Sequence, residues 1–191
     1  MSYTSLLTRR NTAGQIEVAG AALGRASNIP LFKHILEALL LQENSQQNTF
    51  LQDASAANSA IRYYTNFALS SRPHFSWHAL LAPPRNLFLQ NNLGMMIDYA
   101  SLAPSFARQN PHLNFAVAPI PQINQTKPVT NGALWGITVS RASPKSVRAW
   151  QATLLLTSAN LAPSLLAAAN FEPARRDLLD SSNPLHATVL Q

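Results

Sequence analysis

The strongest constraint on the fold is a short stretch near residue 30 in which apolar side chains recur at helical spacing. Asn28 is a plausible N-cap, and Pro30 lies near the first turn, where its missing N–H costs nothing. The apolar positions form two interleaved rows, which are Leu31, Ile35 and Leu39, and Phe32, Leu36 and Leu40. This wide apolar face predicts a largely buried helix over residues 29–42.

The composition bounds the class of protein. The chain has 191 residues, of which 47% are hydrophobic and 12% are charged, and this is enough apolar material for one soluble domain or an incomplete two-lobed one. The 14 lysines and arginines outnumber 8 acids, but they are spread along the chain instead of forming a basic stripe, which argues against a nucleic-acid partner. The chain has no cysteine, so disulfides, thiolate nucleophiles and cysteine-bound zinc are excluded.

The rest of the chain predicts a helix-rich α/β or α+β fold with little strand content. Residues 1–28 are mixed and polar with several glycines, which predicts a linker or an edge segment. Further helices are predicted over residues 54–69, 85–91, 104–109 and 162–169. Runs with apolar or β-branched residues predict strands over residues 94–98, 114–119 and 129–140.

One more helix is predicted from Ser143-Pro144, which is a favourable helix start. Val147, Trp150 and Leu154 follow at helical spacing, and this pattern predicts that Trp150 lies in the core. Beyond Phe171 the sequence predicts a loop with a short turn over residues 176–179.

Four blocks stand out in order along the chain: TRRNTAGQIEVAGAALGRASNI over 8–29, LFLQNNLGMMIDYA over 87–100, NPHLNFAVAPIPQ over 110–122 and GALWGITVSRASPKSVRAW over 132–150. In order and spacing they resemble blocks of the bacterial extracellular solute-binding proteins of the maltose-binding-protein-like, sugar-type family, which serve ABC importers. One departure is Asn91-Asn92, where the family usually has Gly-Lys. Another is that neither an N-terminal lobe nor an export leader is recognised, so we expect the C-terminal half of such a protein.

The resemblance implies a periplasmic-binding-protein-like fold with an incomplete second lobe. Residues 1–28 would be the linker or inter-lobe segment and residues 29–191 the C-terminal lobe. It also implies capture of a carbohydrate-type solute in an inter-lobe cleft, without a cofactor. The expected partners are the solute, the membrane permease subunits of the importer and an N-terminal lobe, and the expected location is outside the cytoplasm.

Two candidate ligand-binding residues follow the predicted strand at 94–98. Tyr99 occupies the place where the resemblance puts an aromatic residue at the cleft edge, since an aromatic ring offers a flat apolar surface to the C–H face of a sugar. The alternative is an ordinary strand-end tyrosine packed on a neighbour. Asp98 could accept a hydrogen bond from a sugar hydroxyl, or it could cap a helix that begins near Ser101.

Three further candidates lie in other segments. Trp135 follows a Gly-containing turn in the fourth block, where the family places a residue that faces the ligand, and burial in the lobe core is the alternative. Trp77 lies in the loop over 70–84 and could cover the cleft or anchor the loop. Asn131 could donate to a hydroxyl group, although an Asx turn beside Gly132 is favoured.

Catalytic and metal sites are not expected. The sequence lacks the nucleophile elbow of hydrolases, the dinucleotide fingerprint and the P-loop, so it gives no sign of acyl, hydride or phosphoryl transfer. His74 and His78 have the spacing of two metal ligands on one helix, but Pro73 precedes them and no glutamate completes the metalloprotease pattern. We therefore predict a non-enzyme, and the alternative to solute binding is a stand-alone protein-interaction module or a non-functional truncated fragment.

Overall fold

The computed structural model describes residues 2–43, 54–126, 128–130, 132, 135–169 and 171–180. It is a mixed α/β structure with a small three-stranded sheet, which confirms the predicted class. The chain divides into two compact units, Met1–Asn131 and Gly132–Gln191. This boundary lies far from residue 28, where the sequence predicted a change from linker to lobe.

The sheet belongs to the first unit and has the order β1-β2-β3. Strand β1 (Arg9–Arg10) pairs antiparallel with β2 (Ile16–Ala21), and β3 (Leu93–Met95) pairs parallel with β2 on its other side. In the parallel pair Ala19 lies opposite Leu93 and Ala21 opposite Met95. The strand predicted over 94–98 is therefore present, but it is shorter and begins one residue earlier.

The segment over residues 1–28 is predicted as a linker or an edge segment, and the structure has both an edge strand and the central strand of the sheet there. Helix α1 (Ser2–Leu7), β1 and β2 all lie within it, and β2 is the central strand. A Cβ atom at Gly20 would collide with the backbone oxygen of Thr4, because the end of α1 approaches β2 very closely. Gly20, one of the glycines that suggested a linker, is the small residue that this close packing requires.

Helices cover the core of the first unit. Helix α2 (Phe32–Glu43) and helix α3 (Ala54–Thr65) confirm two predicted helices, and a short 3₁₀ helix over 66–68 continues the second. Helix α4 (Pro84–Leu89) and helix α5 (Ala103–Gln109) confirm two more. The central core consists of Ala19, Ala22, Ile29, Ile35, Tyr64, Trp77 and Leu93. Phe32, Leu36 and Leu39 of α2 pack against this cluster in half-buried positions, so α2 is less deeply buried than predicted.

The second unit contains helix α6 (Ser146–Leu156), helix α7 (Ala162–Ala169) and a 3₁₀ turn over Arg176–Leu178. The bounds of α7 are those that the sequence predicted. Helix α6 has no buried residue, and Trp150 is 52% exposed, so the prediction that it lies in the core is wrong. Helical spacing places a side chain on a face of the helix but does not say what covers that face.

The strands predicted over 114–119 and 129–140 do not form among the described residues of these two segments. Both segments carry residues that favour strands, but no neighbouring strand pairs with them there, and β-propensity alone does not make a ladder. Phe115 instead anchors the first segment, with ring centroids 5.6 Å from Phe88 and 6.4 Å from Phe106. Within the described part of the chain, no helix combines the length and hydrophobicity that crossing a bilayer requires.

Candidate functional site

The candidate site lies where the chain leaves the parallel strand pair. Because β2 and β3 run in the same direction, their carboxyl ends lie at one edge of the sheet, and the amide of Ala22 donates to the carbonyl of Met95 there at 3.1 Å. The chain then continues through Asp98 and Tyr99 into a 3₁₀ helix over Ala100–Leu102. In open sheets with parallel strands, ligands bind outside the carboxyl ends of the strands.

Asp98 is held by an arginine from α4. Arg85 Nε donates to Asp98 Oδ2 at 2.7 Å, and Arg85 Nη2 donates to Asp98 Oδ1 at 2.9 Å. The carboxylate side chain is only 11% exposed, and hydrogen bonding to it raises the pKa of the Arg85 guanidinium, against a smaller lowering by burial. Both carboxylate oxygens are thus occupied by a fork-shaped donor from another element.

The same carboxylate also holds the backbone of Tyr99. The amide of Tyr99 donates to Asp98 Oδ1 at 2.8 Å, whereas the 3₁₀ helix that follows has no side-chain cap. The side chain does not cap that helix, and its two oxygens accept three hydrogen bonds, from Arg85 and from the Tyr99 amide. Asp98 is better described as the residue that fixes the position from which the Tyr99 side chain projects.

Tyr99 keeps a solvent-accessible ring. It is 39% exposed, and its ring centroid lies 6.3 Å from that of His34 on α2, with the planes tilted by 59°. His34 Nδ1 lies 3.7 Å from Glu37 Oε2 one turn further along the helix. The arrangement leaves an aromatic surface beside an imidazole at the carboxyl edge of the sheet, which suits contact with a ligand that has both apolar and polar groups.

Trp77 is the loop anchor and not a ligand surface. It is completely buried, and its indole N–H donates to Asn28 Oδ1 at 3.0 Å. Asn28 Nδ2 in turn donates to the carbonyl oxygens of His78 at 3.1 Å and Leu81 at 2.9 Å. A ring without exposed surface cannot stack on a sugar in this structure, so the proposed covering role of Trp77 is wrong. The N-cap predicted for Asn28 is also wrong, since α2 begins only at Phe32.

The remaining two candidates are in or near the second unit. Trp135 is 82% exposed in a stretch without helix or strand, so its ring is accessible and the alternative of burial in a core does not apply. Asn131 lies outside the described residues. The structure therefore brings Asp98 and Tyr99 together with Arg85 and His34, and the sequence had singled out neither Arg85 nor His34. No local pattern joins Arg85 to Asp98, because the two residues belong to different elements.

A second polar feature lies at the ends of α4 and α5. A shallow groove of about 340 Å³ is lined by Asn86, Leu89, Gln90, Gln109 and Asn110. Asn110 Nδ2 donates to the carbonyl oxygen of Leu89 at 2.7 Å and ties the two helices together. Part of the carboxamide lining is thus already used to hold the groove in shape.

Metal-binding geometry is not found in the part of the chain that the structure describes, where no group of three or more His, Cys, Asp or Glu side chains could hold an ion. His74 and His78 lie in an irregular loop and not on one face of a helix. His74 Nδ1 lies 3.1 Å from Ser5 Oγ, and His78 Nδ1 accepts from the amide of Leu80 at 3.3 Å. Both imidazoles therefore stabilise local turns and contacts with α1.

Comparison with known proteins gives no match: no family model fits the chain, and no curated protein or solved structure resembles it significantly. The functional assignment therefore depends on the sequence blocks and on the geometry at Tyr99.

Proposed function

We propose that this chain is one periplasmic-binding-protein-like lobe of the substrate-binding component of an ABC importer, and that it binds a carbohydrate-type solute without catalysing a reaction. The observation that carries the proposal is the accessible Tyr99 ring at the carboxyl edge of the parallel pair β2-β3. It occupies the position at which the second sequence block resembles the sugar-binding family. This edge is also where ligands generally bind in sheets with parallel strands.

The chemistry of the edge suits a sugar. A tyrosine ring can pack on the C–H face of a pyranose, and its hydroxyl group can exchange hydrogen bonds with a sugar hydroxyl. The Arg85–Asp98 pair fixes the backbone at Tyr99, which reduces the entropy lost when the ring is immobilised by a ligand. The imidazole of His34 supplies a polar group at the same place.

The proposal includes a companion N-terminal lobe and the permease subunits as partners, outside the cytoplasm. In such a protein the two lobes close on the ligand by a hinge, and the closed form is presented to the permease. A lobe by itself contacts only part of the ligand, so we expect weak binding by this chain alone. The exposed Trp135 is a second candidate for ligand contact.

The test is a titration of the purified chain with a panel of mono- and oligosaccharides, followed by calorimetry and by thermal unfolding. A sugar that binds the folded state should stabilise it by about 2.7 kcal/mol when present at about 100 times its Kd. We expect Tyr99→Ala to abolish the shift, and Trp135→Ala is the separate test of a ligand contact at Trp135. Tyr3→Ala is the matched control, because Tyr3 is also an exposed tyrosine but lies on α1.

Two results would contradict the proposal. One is that no sugar produces a saturable shift, even when a separately produced companion lobe is added. The other is that a sugar binds equally well to the wild-type chain, Tyr99→Ala and Trp135→Ala, which would place the site elsewhere. Asn86→Ala and Gln90→Ala would then test the groove at the ends of α4 and α5.

A further inference from the structure

Helix α6 carries an apolar stripe that is turned towards solvent. Val147, Trp150 and Leu154 follow one another at helical spacing and are 69%, 52% and 67% exposed. Such a stripe normally faces a core, because burying it is the main reason that an amphipathic helix forms in a protein. The half-buried residues of α6 are instead the small side chains of Ala149 and Thr153.

More apolar surface in the second unit is exposed in the same way. Trp135 and Ile137 lie in the irregular stretch before α6 and are exposed, and Leu165 on α7 is 43% exposed. Soluble proteins that act alone rarely leave large contiguous apolar surfaces in water, and such surfaces usually mark an interaction site. A surface that covers the exposed side chains of α6 would therefore have to be apolar itself.

The charges around this stripe define the partner further. The sequence has no aspartate or glutamate between Gly132 and Asn170, but it has Arg141, Lys145 and Arg148. All three basic residues are exposed, and no hydrogen bond or ion pair from their side chains is found among the described residues. Lys145 and Arg148 lie at the start of α6, where the positive end of the helix dipole adds to their charge.

We infer that the stripe of α6 is a docking surface for another protein that presents an apolar surface with an acidic rim. The apolar surface would bury Val147, Trp150 and Leu154, and the acidic rim would neutralise the positive charge at the start of the helix. This inference goes beyond the proposed function and does not depend on sugar binding, since the stripe and its basic residues are separate from Tyr99.

Two other occupants fit the charges less well. A second copy of this chain would bring identical basic residues together in a symmetric contact, and like charges there oppose association. A lipid surface would attract the basic residues, but the stretch over 135–140 forms neither a helix nor a paired strand among the described residues. Unpaired backbone groups are costly in hydrocarbon, whereas a protein partner can pair with them.

The experiment uses the full chain and two synthetic amphipathic helical peptides with the same apolar face, one with a glutamate rim and one with a lysine rim. We expect the glutamate peptide to bind about tenfold more tightly in low salt, and we expect added salt to reduce this preference. The double variant Lys145→Glu/Arg148→Glu should reverse the preference. Trp150→Glu should abolish binding of both peptides, and Leu80→Glu, at an apolar residue that is 92% exposed in the first unit, is the matched control.

Several outcomes would overturn the inference. Equal binding of the two peptides, or no binding of either, would show that the stripe does not select an acidic apolar surface. Binding to phosphatidylglycerol vesicles without binding to either peptide would identify a lipid surface instead. Concentration-dependent dimers in sedimentation that Trp150→Glu abolishes, without peptide discrimination, would identify a second copy. A sugar titration of Trp150→Glu keeps the two proposals separable, because failure of docking would leave a sugar response at Tyr99 unchanged.

Discussion

The two units of this chain treat their tryptophans in opposite ways. Trp77 in the first unit is fully buried and hydrogen-bonded to Asn28, whereas Trp135 and Trp150 in the second unit are 82% and 52% exposed. The first unit also has a sheet and a continuous apolar core, while α6 in the second unit has no buried residue. The comparison shows that the same residue type is a core residue in the first unit and a surface residue in the second.

The largest expected effect is the cost of removing the buried tryptophan. Trp77→Ala should lower the free energy of unfolding by about 3–5 kcal/mol, because it leaves a cavity and an unpaired Asn28 oxygen. Trp135→Ala should change it by less than about 0.5 kcal/mol, as is usual for exposed positions. Urea denaturation of the two variants measures both values. A similar decrease in the free energy of unfolding in both variants would contradict the difference between a buried and an exposed tryptophan.

A smaller difference is expected at two glycines. Gly20→Ala should lower the free energy of unfolding by about 1–3 kcal/mol, since the new Cβ would collide with the backbone of α1 near Thr4. Gly136 in the second unit has no atom within 4 Å of an added Cβ, so Gly136→Ala is the matched control and should be nearly neutral. Thermal unfolding of both variants measures these effects. A neutral Gly20→Ala would contradict the close packing of α1 on β2.

A pH-dependent effect is expected in the core of the first unit. Tyr64 donates to the carbonyl oxygen of Arg25 at 2.8 Å, and burial raises the pKa of its hydroxyl group to about 12. Because the folded-state pKa lies above the unfolded-state value, Tyr64 contributes stability that is present below pH 10 and is lost between about pH 10 and 12. Tyr64→Phe should cost about 1 kcal/mol at neutral pH and should make the alkaline loss of stability shallower.

The measurement for Tyr64 is the free energy of unfolding between pH 7 and 12. Tyr3→Phe is the control, because Tyr3 is an exposed tyrosine on α1, and it should leave the alkaline slope as in the wild-type chain. An unchanged slope in Tyr64→Phe would mean that this hydroxyl group does not ionise in that range upon unfolding.

The smallest expected difference separates two arginine–aspartate pairs of similar geometry. Asp98→Asn should cost about 1 kcal/mol, since Asp98 is largely buried and joins Arg85 to the backbone of Tyr99. Asp177→Asn in the second unit should have no measurable effect, because Asp177 and Arg175 are exposed. Chemical denaturation in low and high salt measures the free energy of unfolding of both variants. An equal loss in Asp98→Asn and Asp177→Asn would contradict this distinction.

Hydrogen bonding of Asp177 to Arg175 lowers the pKa of the Asp177 carboxyl group. A lowered folded-state pKa gives stability that is present above the unfolded-state value and is lost as the pH falls through the folded-state value. Solvent screening keeps this contribution small, so acid denaturation of Asp177→Asn should follow that of the wild-type chain closely.

Helices were the part of the fold that the sequence determined by itself. The spacing of apolar residues predicted α2, α3 and α6, other local signals predicted α4, α5 and α7, and the bounds of α7 agree with the prediction, whereas α1 was not predicted. This succeeds because a helix is hydrogen-bonded within one segment, so its position depends on local residues. The mixed α/β class was also predicted correctly. The family resemblance and the solute-binding function stay predictions.

Tertiary structure decided the strands and the surroundings of the site. Strand β2 was missed because its small residues resemble a linker, and the segments over 114–119 and 129–140 were mistaken for strands although no strand pairs with their described residues. Trp77 meets Asn28, and Arg85 meets Asp98, across long stretches of chain. Strand pairing and side-chain burial depend on residues that are distant in sequence. The local spacing of residues does not indicate which distant segment will pair with a strand or cover a side chain.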